Sequence, residues 1–235
     1  MRPSLNSFER AASAAIYQTC LVIDVSVSMS FDDWKPSRLA GAMEAALALL
    51  DAKCRQFPRD QIAVVSFAHD ACLELGLTEV TTGAHGIHHA IQRLAVRPST
   101  NIPSGLNMAA QVLAPAVNGH DVGTWGGLKR FIRELFEPAP AAAKTGRHVL
   151  LLTDGFNCLE VAVDSVASAQ RLKNEGVEID VIGIGGTHSQ VNEDELRRVA
   201  SLDSQGRPRY RYIGDKSTLI QEFVRIANRI EELPA

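Results

Sequence analysis

Two short apolar runs constrain this chain more than any other feature: residues 19–24 (TCLVID) and 148–153 (HVLLLT). Unbroken apolar runs of this length read as strands buried on both faces, the pattern of a parallel sheet with helices on either side. The intervening segments agree. Further strands are predicted at 61–67 (QIAVVSF), 71–75, 177–183 and 209–213. Residues 71–75 are short and close enough to pair back on the preceding strand as a hairpin, which makes one antiparallel edge. Helical spacing marks 38–57, where Leu39, Met43, Ala46, Leu47 and Leu50 recur before Pro58 stops the pattern. Helices are also predicted at 83–94, 104–113, 161–174, 193–200 and 216–230. Alternating strands and helices imply an α/β fold, a doubly wound, mostly parallel six-stranded sheet flanked by helices on both faces.

With 235 residues the chain is long enough to bury a full core without staples. Residues 1–17 read as an N-terminal extension and 18–232 as a single domain, interrupted at about 115–146 by a Gly- and Pro-containing insertion with a short helix candidate at 128–136. A loop of that length is a surface insertion or a functional segment. The net charge of -3 and the absence of a long Lys/Arg run point away from nucleic acid and anionic membranes. No apolar run approaches the length of a bilayer span. Cys20, Cys54, Cys72 and Cys158 are irregularly spaced with no CxxC pair, the pattern of free thiols in a reducing compartment. A cytoplasmic protein is expected.

The two apolar runs also define a candidate site. The first ends in Asp24-Val25-Ser26-Val27-Ser28 and the second is followed by Asp154-Gly155. In doubly wound sheets, ligands bind outside the carboxyl ends of strands, where the strand order reverses. If the two runs are neighbours there, Asp24 and Asp154 face each other across the crevice. The loop at 98–103 precedes a helix and can bring Ser99, Thr100 or Asn101 to the same rim. All are hard oxygen donors, a set that suits magnesium, with manganese or calcium as substitutes, and disfavours zinc or copper. Alternate residues of an extended segment point the same way, so Asp24, Ser26 and Ser28 can face one ion. Either aspartate alone is equally readable as a helix cap.

Taken together, DVSVSM, STNIPSGLNMA and LLTDGFN resemble the three loops of the metal-ion-dependent adhesion site of von Willebrand factor type A domains. The resemblance runs in order from Thr19 towards the C-terminus, with Val27 where the family usually has Gly. It implies a Rossmann-like fold and a complete site in which Ser26, Ser28 and Thr100 bind magnesium through their hydroxyls. Asp24 and Asp154 would act mostly through bound water. It further implies a non-catalytic module of the bacterial or archaeal intracellular type, in which the cation takes a Glu or Asp from a partner protein, as in domains that accompany AAA+ ATPases of the MoxR group. Phe31, Trp34, Asn101, Gly155 and Phe156 are candidates for the rim on which such a partner packs. A shift of the C-terminal helix on ligand binding occurs in the wider family.

The competing chemistry is a magnesium-dependent hydrolase or phosphatase at the same crevice. Against it, Ser26 stands where haloacid-dehalogenase-type enzymes carry a second Asp, and no Lys adjoins the motifs. His85, His88 and His89 share a predicted helix face but lack a fourth ligand, so a solvated face is expected. His69-Asp70 reads as a turn. Gly183-Ile184-Gly185-Gly186 lacks a full phosphate-binding fingerprint and is read as a strand-to-loop turn near the cation site.

Overall fold

The structure, a computed structural model, describes residues 16–115, 145–155 and 164–229. Within them six strands form one sheet: β1 (Ile16–Asp24), β2 (Gln61–Phe67), β3 (Ala71–Glu79), β4 (Thr145–Thr153), β5 (Val177–Ile184) and β6 (Tyr210–Ile213). The helices are α1 (Arg38–Gln56), α2 (Val80–Gln92), α3 (Ile102–Leu113), α4 (Ser165–Asn174), α5 (Glu193–Val199) and α6 (Lys216–Asn228), with 3-10 turns at Val27–Ser30 and His188–Gln190. The helix candidate at 128–136, Cys158, Phe156 and the start of the helix expected from 161 lie outside the described residues.

The strand order is β3-β2-β1-β4-β5-β6, parallel except for β3. The expected doubly wound, mostly parallel six-stranded sheet with one antiparallel edge is therefore observed. The chain runs from β1 outward to β3, then returns to the other side of β1 at β4. The reversal between β1 and β4 opens a crevice at their carboxyl ends.

Alternate residues of the central strands divide the core in two. Leu21, Ile23, Leu150 and Leu152 pack with Leu49 of α1, Ile87 of α2 and Phe223 of α6 on one face. Cys20, Val22, Val149 and Leu151 pack with Leu106 of α3, Leu172 of α4 and Leu196 of α5 on the other. Truncating one such side chain, as in Leu151→Ala, costs about 2–5 kcal/mol. Gly105 of α3 lets that helix approach the sheet: a Cβ there would lie 2.9 Å from Val22 and Phe67 side-chain atoms.

Several boundaries move, most of all at three strands. β1 begins at Ile16, inside the stretch read as an extension, and β4 begins at Thr145, inside the stretch read as an insertion; Ile16 and Tyr17 pair with Thr145 and Gly146. The Tyr17 ring lies across Gly146, where a Cβ would sit 2.3 Å from it, so this pairing is settled by a cross-strand contact that local pattern does not carry. β3 continues through Gly76 to Glu79 because Gln61 and Ile62 of β2 pair with Glu79 and Thr78.

Candidate metal centre

β1 ends at Asp24, fully buried at the crevice. Its Oδ1 accepts the Ser26 backbone N–H at 2.8 Å, and its Oδ2 accepts the Thr153 hydroxyl at 2.6 Å. Asp24 is therefore tied to its own turn and to the end of β4, and is not the cap of an α-helix. Ser26 has extended backbone, and Val27–Ser30 coil into a 3-10 turn. That turn, rather than an extended run, folds Ser28 back towards Ser26, with the two hydroxyl oxygens 3.0 Å apart. Val27 projects outward, 52% exposed.

Thr153 also accepts the Gly155 N–H at 3.0 Å, which shapes the turn carrying Asp154. Gly155 has φ +80, the left-handed region that favours glycine. A Cβ there would also press on Leu196, at 2.9 Å.

The third loop is held by backbone bonds: Arg97 donates to the Val25 carbonyl at 2.7 Å and His69 donates to that of Pro98 at 3.2 Å. Asn101 caps α3, accepting from Ser104 N–H at 3.1 Å, and its amide donates to the His69 carbonyl at 3.0 Å. Ser99 adopts φ 70, an uncommon conformation for a residue with a side chain. These constraints bring Thr100 to a pocket of about 360 Å³ shared with Ser28 and Asp154. Asp24 and Ser26 lie buried behind it. All five predicted donors thus converge on one crevice.

The electrostatics fit a cation. Burial, and after it the neighbouring Asp154 carboxylate, raise the Asp24 carboxyl to about 7 against the hydrogen bonds from Ser26 and Thr153. Among the described residues no cationic side chain lies within ion-pair distance of Asp24. A buried carboxylate beside a second carboxylate and three hydroxyls is a donor set for a divalent ion. The described residues hold no cluster of three or more His, Cys, Asp or Glu, so an ion bound here would depend on the hydroxyls.

The remaining wall comes from residues that sequence reading did not single out. Arg38, Ser189 and Gln190 line the pocket with Phe31. Arg38 is 1% exposed, and its Nη1 lies 3.8 Å from Asp154 Oδ2. A signal for Arg38 existed: a cation in the first turn of a helix opposes the helix dipole and needs another reason to be there. The glycine-bearing turn after β5 does border the site, through Ser189 and Gln190.

Of the rim candidates, Phe31 is 50% exposed and lines the pocket. Trp34 does not belong to the rim: it is 4% exposed and packs in the core on the α1 side, beside Gly41. Asn101 is a cap, Gly155 is buried, and Phe156 lies outside the described residues. His85, His88 and His89 are exposed on α2, as a solvated face requires.

A larger cleft of about 860 Å³ lies along β5, β6 and α6. Its charges are paired: Arg209 with Glu178 at 2.6 Å, Arg229 with Asp180 at 2.5 Å, and Arg225 and Arg211 with Glu222 at 2.5 and 3.2 Å. We read it as a structural ion-pair lattice.

The family model for the von Willebrand factor type A domain matches residues 19–156, which span all three loops of this site. The chain belongs to that family. It is 30% identical over 192 residues to a UPF0353 protein of Mycobacterium sp. (strain KMS), which covers 79% of this chain and 49% of the relative. The chain thus spans about half the length of the curated relatives it matches. Among solved structures, a von Willebrand factor type A protein from Catenulispora acidiphila superposes with TM-score 0.64 at 22% identity, over 91% of this chain and 42% of that one. Proximal thread matrix protein 1 from the mussel byssus, solved with a zinc-occupied MIDAS motif, superposes with TM-score 0.61 at 21% identity, over 92% and 46% of the two chains. These likenesses support the Rossmann-like α/β fold of the family.

Proposed function

We propose that this domain is a magnesium-dependent, non-catalytic docking module that binds an acidic residue of a partner protein. The observation that carries the reading is Asp24: a fully buried carboxylate without a cationic partner among the described residues, set against Asp154 and next to the paired hydroxyls of Ser26 and Ser28. In this reading the adhesion site is complete. Ser26, Ser28 and Thr100 hold the ion directly, while Asp24 and Asp154 orient its water. A divalent cation held there offers an exchangeable position to an incoming carboxylate. The hard donor set favours magnesium, and the zinc in the mussel protein makes the choice of ion a point for experiment.

The partner is a protein bearing an exposed Glu or Asp, and we propose an AAA+ ATPase of the MoxR group. An intracellular setting is supported by the free thiols of Cys20, Cys54 and Cys72. Among the described residues no helix is long and apolar enough to cross a membrane. Among the described residues, the pocket is lined by Ser28, Phe31, Arg38, Thr100, Asp154, Ser189 and Gln190, with no Lys, His or Cys, which favours binding over catalysis.

The test is thermal unfolding with added MgCl2. Binding to the folded state raises stability by about 2.7 kcal/mol at a hundredfold excess over Kd. The expected result is a rise in Tm that EDTA reverses and that Asp154→Ala lacks. An unchanged Tm in the unaltered protein, with no ion bound by calorimetry, overturns the reading.

A further inference from the structure

We propose that Arg38 is a second anion contact in the docking pocket. Its guanidinium would receive one oxygen of an incoming carboxylate whose other oxygen turns to the cation position. This rests on the docking reading above and adds a specificity-determining residue to it.

A buried arginine at the first position of α1 is costly without a purpose. The guanidinium is clamped along one edge. Its Nε donates to the two Asp33 oxygens at 2.9 and 3.1 Å, and its Nη2 donates to Asp33 Oδ2 at 2.5 Å and Gln190 Oε1 at 2.8 Å. Gln190 Oε1 is itself fixed by the Gly186 N–H at 2.8 Å. A Cβ at Gly186 would meet Asp33 Oδ2 at 2.8 Å and Gln190 Oε1 at 3.3 Å, so a larger residue there would push on the clamp. The Phe31 ring covers the guanidinium, 5.2 Å from Cζ to the ring centroid.

The clamp leaves Nη1 on the pocket side. It makes no hydrogen bond among the described residues and sits 3.8 Å from Asp154, beyond hydrogen-bond reach. Nη1 is therefore a fixed, charged donor beside the predicted ion-binding hydroxyls, in a pocket where Ser28, Thr100 and Arg38 all take part. A lone cation binds monodentate anions without regard to shape, whereas a planar guanidinium edge beside it selects a planar two-oxygen group. A carboxamide presents one acceptor and one donor, and its donor would face Arg38. The half-exposed Phe31 ring lines the pocket, so the ligand class is an acidic side chain with an apolar neighbour.

The test uses the full chain and two synthetic peptides, acetyl-Leu-Glu-Ala-amide and acetyl-Leu-Gln-Ala-amide, titrated by NMR in MgCl2. The unaltered protein is expected to prefer the Glu peptide, with a shift of the Arg38 side-chain Nε–H signal, assigned by its loss in Arg38→Lys. Arg38→Lys keeps the charge but not the fork. It should retain the magnesium-induced rise in Tm while losing about tenfold in Glu-peptide affinity. Gln190→Ala, at an exposed position, loosens the clamp and should lose a smaller factor with the same magnesium response; it also serves if Arg38→Lys fails to fold. Glu-peptide binding by these variants as tight as in the unaltered protein, with an unmoved Arg38 signal, overturns the inference and leaves the docking reading standing. Failure of the unaltered, magnesium-loaded protein to prefer Glu over Gln overturns both.

Discussion

Asp24 and Asp180 are buried carboxylates in the same sheet, and their surroundings drive them in opposite directions. Burial works against the charge of both. At Asp180, in β5, that penalty is outweighed by His148, whose Nε2 lies 2.7 Å away, and by Arg229 at 2.5 Å from the last turn beyond α6. Its carboxyl is held well below the usual carboxylate range. At Asp24 the nearest charge is another carboxylate, and the group rises to about 7. Asp180 carries its counter-charges within the chain and pins the end of α6 to the sheet. Asp24 has no counter-charge within ion-pair distance among the described residues. Burial alone does not distinguish the two groups; the charges beside them do.

The largest expected effect is at the self-sufficient pole. Asp180→Ala leaves His148 and Arg229 facing a gap and should cost on the order of 3 kcal/mol. The loss is read in urea unfolding, and the magnesium-induced rise in Tm should persist. If that rise vanished as well, the two poles would not be independent. Asp24→Asn should act with the opposite sign: it removes an uncompensated buried charge, so the metal-free protein gains about 1–2 kcal/mol. Its magnesium response should disappear. A variant that is destabilised without metal would contradict the account of Asp24.

The pH dependence separates the same two groups. The Asp24 carboxyl is raised to about 7 in the folded chain from an ordinary aspartate value near 3.8, so the folded state holds the proton more tightly. Its contribution to stability is full below about 4 and is lost as pH rises towards 7. Asp180 is shifted the other way, so its contribution is present above the ordinary carboxylate range and is lost as pH falls through it. In the absence of divalent ions, stability should therefore decline between about pH 4 and 7, and Asp24→Asn should flatten that slope. Equilibrium unfolding across this window checks it; an unchanged slope in the variant would assign the decline elsewhere. The smallest effect is at the loop that presents Thr100. Asn101→Ala removes a cap and should cost about 1 kcal/mol, with weaker magnesium binding as Thr100 loses its support. Calorimetry of magnesium binding reads the second part.

Much of this was legible in the sequence. Six strands could be placed because continuous apolar runs and Pro58 are local signals, and the edges that shifted did so through cross-strand contacts such as Tyr17 on Gly146. The five oxygen donors were readable because each sits at a strand end or loop with a recognisable motif. Thr153 was not assigned a role, although it bridges Asp24 and Gly155. Trp34 was misplaced on the rim because exposure of an aromatic next to a loop depends on how α1 seats against the sheet.

By itself, the sequence determined the doubly wound α/β architecture and the hard-oxygen character of the crevice, since both follow from residue type and local period. Only the tertiary structure decided which charges meet. Arg38 and Gln190 are 152 positions apart, and Thr153 and Asp24 are 129 apart, yet each pair is hydrogen-bonded. Electrostatic energy depends on separation in space and on burial, neither of which is a property of a sequence window. That is why Asp24 and Asp180, two aspartates in apolar strands, are shifted in opposite directions.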